Sequence, residues 1–218
     1  MATLSEDLVD DILYFARAGE TADLATTLKS LTADPTTTFT SAAQVLELAL
    51  DEHSGNNALH MAAGNGHFDI VKEILSHLPT PANQHAPPHA VVAHKNAAGN
   101  TPLHWAALNG HVKIVEALVV VANADPTVVN SAGHDPVYEA ELNEKMEVVE
   151  WILGNCEGLQ EGIGGEAGEG EGEGEGEKEG GEGSKGKGKG VNGNGNGAQD
   201  IQEGVERLDL YKGDSREA

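Results

Sequence analysis

Gly99-Asn100-Thr101-Pro102-Leu103-His104-Trp105-Ala106-Ala107-Leu108-Asn109-Gly110-His111, continuing as Val112-Lys113-Ile114-Val115-Glu116-Ala117-Leu118, reads as a turn, a short helix, a glycine break and a second short helix. The segment from Asn56 to Leu75 repeats it, with Ala58-Leu59-His60-Met61-Ala62-Ala63, Gly66-His67, Ile70-Val71 and Ile74-Leu75. A weaker third copy runs from Gly133-His134-Asp135-Pro136-Val137-Tyr138 to Val148-Val149-Glu150-Trp151-Ile152. Such self-similarity marks a repeat architecture, in which one helix pair cannot bury its apolar face alone and stacks on the next.

Thr101-Pro102-Leu103-His104-Trp105-Ala106 matches the T-P-L-H-x-A pattern of ankyrin repeats, and the chain resembles that family. The resemblance implies an all-α solenoid of about four helix pairs, caps included. The family period is about 33 residues. Gly19 to Gly66 is 47 residues and Gly66 to Gly110 is 44, so both spacers carry insertions. From His104 to Tyr138 is 34, an almost insertion-free join.

Around these copies, Leu8, Ile12 and Phe15 fall at helical spacing, with Asp7, Asp10 and Asp11 where carboxylates suit a helix N-terminus. After Gly19, Leu24, Leu28 and Leu31 continue a second helix, so Ser5 to Leu31 reads as an N-terminal capping repeat. The first insertion, starting at Asp34-Pro35, is expected to hold one short helix with Ser41 as its N-cap. The second, His77 to His94, contains Pro79, Pro81, Pro87 and Pro88 and is expected to be a surface loop without regular helix. In the last copy Tyr138 replaces histidine, Glu141 replaces the second alanine and Glu144 stands where glycine is expected. Beyond Gly158 the chain is glycine, glutamate and lysine with hardly an apolar side chain, a flexible polyelectrolyte in expectation. The expected organisation is a repeat domain at 1–157, a disordered Gly/Glu/Lys linker at 158–198 and an amphipathic segment at 199–218 around Ile201, Val205 and Leu208.

The formal net charge is -23, and residues 1–157 carry 21 Asp/Glu against 6 Lys/Arg, so the acidity belongs to the body as well as the tail. Such a surface repels nucleic acid and anionic membrane and favours basic proteins; solubility alone is the competing reading. The single cysteine, Cys156, rules out an intrachain disulfide and a four-thiolate zinc site and points to a reducing compartment. The first residues lack the basic region and apolar run of a signal peptide, and Ala117 to Ala122 is far short of the roughly 20 residues of a membrane span.

No catalytic constellation is visible. His60 and His104 share one register and His67 and His111 another, but repeat spacing keeps them too far apart for the three or four converging ligands of zinc. The family pattern makes Thr101 and His104 hydrogen-bonding links between repeats. Gly66 and Gly110 follow asparagine at helix breaks and lack the Gly-Lys-Ser/Thr of a phosphate loop. Cys156, flanked by acids, is expected to have a raised thiol pKa, the opposite of a catalytic cysteine. No cofactor and no metal are expected.

Partner contacts are sought on the concave side instead. Met61 and Trp105 occupy equivalent positions, as interior packing or as contacts, and Asn65, Leu108 and Asn109 follow the Ala-Ala pairs. Asp135, Glu139, Glu141, Leu142 and Glu144 supply an acidic neighbour in the last copy. Ala16-Arg17-Ala18-Gly19, the Leu-His-Trp-Ala-Ala-Leu-Asn-Gly block and the Gly-His-Asp block narrow the resemblance. They are similar to the fungal ankyrin-repeat chaperones dedicated to small-subunit ribosomal protein three, the KH-domain protein of the subunit head. The longer proline-containing insertion and the very glycine-rich tail depart from that pattern. The resemblance implies a monomeric, non-enzymatic chaperone, cytoplasmic and nuclear. It would bind the newly made basic ribosomal protein, keep it soluble and escort it to the nucleus, meeting import machinery through its client. A generic ankyrin scaffold in signalling or transcription is the alternative, and histone escort a further one.

Overall fold

The helices follow one another as α1 (Glu6–Ala18), α2 (Thr21–Ala33), α3 (Ala42–Leu48), α4 (Ala58–Asn65), α5 (Phe68–Ser76), α6 (Ala90–Ala93), α7 (Pro102–Asn109), α8 (Val112–Glu116), α9 (Pro136–Leu142) and α10 (Met146–Asn155). This computed structural model describes residues 3–33 and 39–156; the expectations for 34–38, 158–198 and 199–218 lie outside the described residues. Four pairs make the repeats: α1 with α2, α4 with α5, α7 with α8, and α9 with α10. The inner helices α1, α4, α7 and α9 stack in that order, and α2, α5, α8 and α10 form the outer layer. Among the described residues the fold is an all-α solenoid, as expected.

Local chemistry starts and stops these helices. Ser5 Oγ accepts from Leu8 N at 3.4 Å and Ser41 Oγ from Gln44 N at 3.3 Å, so Ser41 caps the helix expected in the first insertion. Gly19, Gly66 and Gly110 end the inner helices at φ 81°, 78° and 82°, a left-handed backbone that glycine adopts without a β-carbon clash. Ala62, Ala63, Ala106, Ala107 and Ala140 are buried between inner helices, where small side chains let the backbones approach closely. Leu24, Leu28, Leu59, Ile70, Ile74, Leu103, Ile114 and Ile152 fill the space between layers, each burial stabilising by about 1.5–3 kcal/mol.

The second insertion corrects the sequence reading. Its prolines end at Pro88, and α6 then forms one helical turn with Val91 and Val92 buried and packed toward α3. His89 Nδ1 accepts from Val91 N at 3.2 Å and starts that turn. Two adjacent valines had an apolar surface to reach on α3, which the proline count does not reveal. After α8 the helix widens into a π-turn over Ala117–Val121, and Asn123 follows in the left-handed region. Asn123 Nδ2 donates to Asn83 O at 2.7 Å and Ala86 O at 3.0 Å, pinning the proline-containing loop to the third outer helix. Among the described residues no helix is long and apolar enough to cross a membrane.

Candidate partner-binding surface

Three finger-like turns precede the inner helices. Asp51, Asn96 and Asn130 open them, and Asn96 Oδ1 accepts from Ala98 N at 3.0 Å and Asn100 N at 2.9 Å, as Asn130 Oδ1 does from Ala132 N and His134 N. Neighbouring fingers are joined through Ala97 N to Ser54 O at 2.8 Å and Ser131 N to Ala98 O at 3.0 Å. Side-chain amides extend the ladder, with Asn96 Nδ2 on Asn56 Oδ1 and Asn130 Nδ2 on Asn100 Oδ1, both at 2.8 Å.

Buried histidines fasten fingers to helices. Thr101 N and the Thr101 hydroxyl both donate to His104 Nδ1, at 3.1 and 2.8 Å, which leaves Nε2–H to donate to His134 O at 3.1 Å. His60 reaches the next finger in the same register one copy earlier, its Nε2 2.9 Å from Asn100 O, while its Nδ1 lies 2.7 Å from Asn57 Oδ1 and 3.4 Å from Asn57 N. Burial pushes the pKa of His60 down to about 4 and lowers that of His104, which favours the neutral ring in both. The second histidine pair ties helix breaks together, His67 Nε2 donating to Arg17 O at 2.8 Å and His111 Nε2 to Gly64 O at 3.2 Å. Among the described residues no three His, Cys, Asp or Glu side chains are grouped to hold a metal ion. The Cys156 thiol pKa is raised, and the cause is burial rather than its acidic neighbours.

The proposed contact residues separate into four groups. Met61, Trp105 and Leu108 are half-buried along the inner helices. Trp105 leans on the preceding copy, its ring over Gly64, with Nε1 buried and without a hydrogen-bond partner among the described residues. Asn65 and Asn109 are exposed, each folding its amide back onto its own helix, at 2.8 Å to Met61 O and 2.9 Å to Trp105 O. In the last copy Glu141, Leu142 and Glu144 are exposed.

Asp135 and Glu139 have structural partners. Asp135 Oδ1 accepts from Tyr138 N at 2.8 Å and caps α9. Glu139 is turned inward: it is buried, and Oε1 accepts from Asn130 Nδ2 at 2.8 Å and faces His134 Nδ1 at 3.1 Å. A carboxylate at the Trp105 register finds its donors on the finger of its own copy. Sequence reasoning missed Tyr14, Tyr138 and Met146, all large and exposed. Tyr14 shares the register of Met61 and Trp105, counted back from Gly19, and that count was the available signal.

A cavity of about 140 Å³ lined by Glu47, Leu50, Asn57, Ala90, Val91 and His94 lies beside α3 and α6, well below the ~300–1,000 Å³ typical of cofactor and drug-sized ligand pockets. What this molecule offers is a surface: stacked inner helices, an exposed edge of fingers and abundant carboxylates. That is a protein-interaction scaffold of the helix-pair repeat class. A family model of ankyrin repeats, in 3 copies, matches residues 13–130 and 88–161, and the chain belongs to the ankyrin-repeat family. It is similar to the Yar1 chain in the crystal structure of the yeast ribosomal protein Rps3 in complex with its chaperone Yar1. The two are 34% identical with a TM-score of 0.59, over 69% of this chain and 94% of that one. Comparison with curated proteins returned no match.

Proposed function

We propose that this chain is a dedicated chaperone of a basic small-subunit ribosomal protein, the counterpart of Rps3. The observation that carries the reading is the 34% identity to Yar1 over nearly the whole of that chaperone, 94% of its length. The net charge of -23 supports it, because a carboxylate-rich solenoid attracts a basic client and masks the surface that ribosomal RNA later claims. Charge speeds capture, and apolar contacts such as those of Met61, Trp105 and Leu108 add specificity. The chaperone keeps its client soluble and escorts it from cytoplasm to nucleus. Import machinery is engaged through the client, and the chaperone is a monomer when alone. No catalysis, nucleotide or metal enters this cycle; competition by ribosomal RNA for the same basic surface releases the client.

The test is affinity capture of the tagged full chain from lysate of its own cells. One stoichiometric small-subunit ribosomal protein supports the reading. A mixed, non-ribosomal set supports the general ankyrin scaffold instead, and histones outcompeting the ribosomal protein would reassign the acidic surface to histone escort.

A further inference from the structure

The last repeat exposes three positions that the interior repeats cover. His60 and His104 are 0% and 1% exposed, because the finger of the following copy closes over them. Tyr138 holds that register on α9 and is 48% exposed. Gly64 lies beneath Trp105 of the next copy, whereas Leu142, in the Gly64 register, is 62% exposed. Phe68 and Val112 begin α5 and α8 and pack against the core, whereas Met146 begins α10 and is 54% exposed. Three apolar side chains therefore stand where a further repeat would sit.

A terminal repeat stays soluble by making this face polar. Here its apolar residues are accompanied by exposed Glu141, Glu144 and Glu147, none of which forms an ion pair among the described residues. Charge restricts what can cover such a face. A second copy brings a net charge of -23, and residues 158–218 of this chain carry 15 Asp/Glu against 7 Lys/Arg, so like-charge repulsion opposes both.

We propose that this end face docks a basic amphipathic helix, laid on α9 as α9 lies on α7. Its apolar side covers Tyr138, Leu142 and Met146, and its Lys and Arg side chains meet Glu141, Glu144 and Glu147. The inference rests on the chaperone reading above and assigns a helix of the basic client to the open end of the solenoid. The client thereby completes the stack as an additional inner helix.

The experiment is a titration of the purified Rps3-type ribosomal protein against the full chain and against Leu142→Arg/Met146→Arg and Glu141→Lys/Glu147→Lys variants. All four substituted positions are exposed, and matched thermal melts establish that the variants fold. Both variants are expected to weaken binding at least about 10-fold, the scale of losing an interface hot spot. Wild-type binding with unchanged variant affinities would overturn this inference and leave the chaperone reading standing. Failure of the wild-type chain to bind would remove the chaperone reading and this inference with it. A dimer abolished by Leu142→Arg/Met146→Arg would assign the face to a second copy. Maleimide labelling of Leu142→Cys, in a Cys156→Ser background, that quickens on deletion of 158–218 and ignores the client would assign it to the chain's own end; either result overturns the proposal.

Discussion

The Trp105 ring lies so close over Gly64 that a β-carbon built on Gly64 would stand 2.5 Å from Trp105 Cε3. The same glycine's carbonyl oxygen accepts from His111 Nε2 at 3.2 Å, so one backbone position receives both helices of the next repeat. Gly64→Ala is therefore expected to push the indole outward and destabilise the fold by about 1–3 kcal/mol, the usual cost of overpacking. Tryptophan fluorescence, measured with Trp151→Phe in the background, should shift to the red along with a lower melting temperature. Unchanged emission and stability would place Trp105 elsewhere.

Stability should fall on acidification before most carboxylates titrate. The folded chain holds His60 at about 4, whereas an unfolded histidine takes up its proton near 6.5. Between those values the unfolded state binds the proton and the folded state does not, so stability is lost as pH falls through this window and the effect levels off below about 4. The full span is worth about 3 kcal/mol for His60, and His104 adds in the same direction. Urea midpoints at pH 7, 6 and 5 should decline steadily, with a shallower slope in His60→Gln. A flat series would contradict a buried neutral ring.

Glu144 occupies the helix-break register with φ 58°, where the preceding copies use Gly66 and Gly110. A side chain there costs about 1 kcal/mol relative to glycine. Glu144→Gly should stabilise the client-free protein by about 0.5–1 kcal/mol and raise the melting temperature by about 2–4 °C. A lower melting temperature would show that the Glu144 side chain has a stabilising partner.

Client binding should weaken steeply with salt. An acidic solenoid capturing a basic protein relies on charge that a Debye length of about 8 Å at physiological ionic strength already screens in part. Association rates measured from 50 to 500 mM salt should fall by at least about 10-fold, with dissociation rates changing much less. A salt-independent association rate would count against electrostatic capture.

Much of the architecture could be read directly from residues. Alanine pairs, glycine breaks and the Thr101–His104 pattern act within one helix turn or one adjacent repeat, so periodicity identifies them. The helix capped by Ser41 follows from the same local chemistry. The one-turn α6 was hidden, because four prolines argue against helix while the burial of Val91 and Val92 depends on distant α3.

The surface was legible only in part. Met61 and Trp105 were correctly matched in register, but that one of them would rest on a glycine of the preceding copy required the helices to be stacked. Asp135 and Glu139 look like free carboxylates in sequence; one caps α9 and the other is held by Asn130 and His134. By itself the sequence determined the helix pairs, their breaks, the insertions and the acidic charge, all set by local backbone preference and composition. Tertiary structure decided which side chains face solvent. In a stack each repeat is buried by the one after it, and only the assembled fold shows that Tyr138, Leu142 and Met146 have no following repeat among the described residues to cover them.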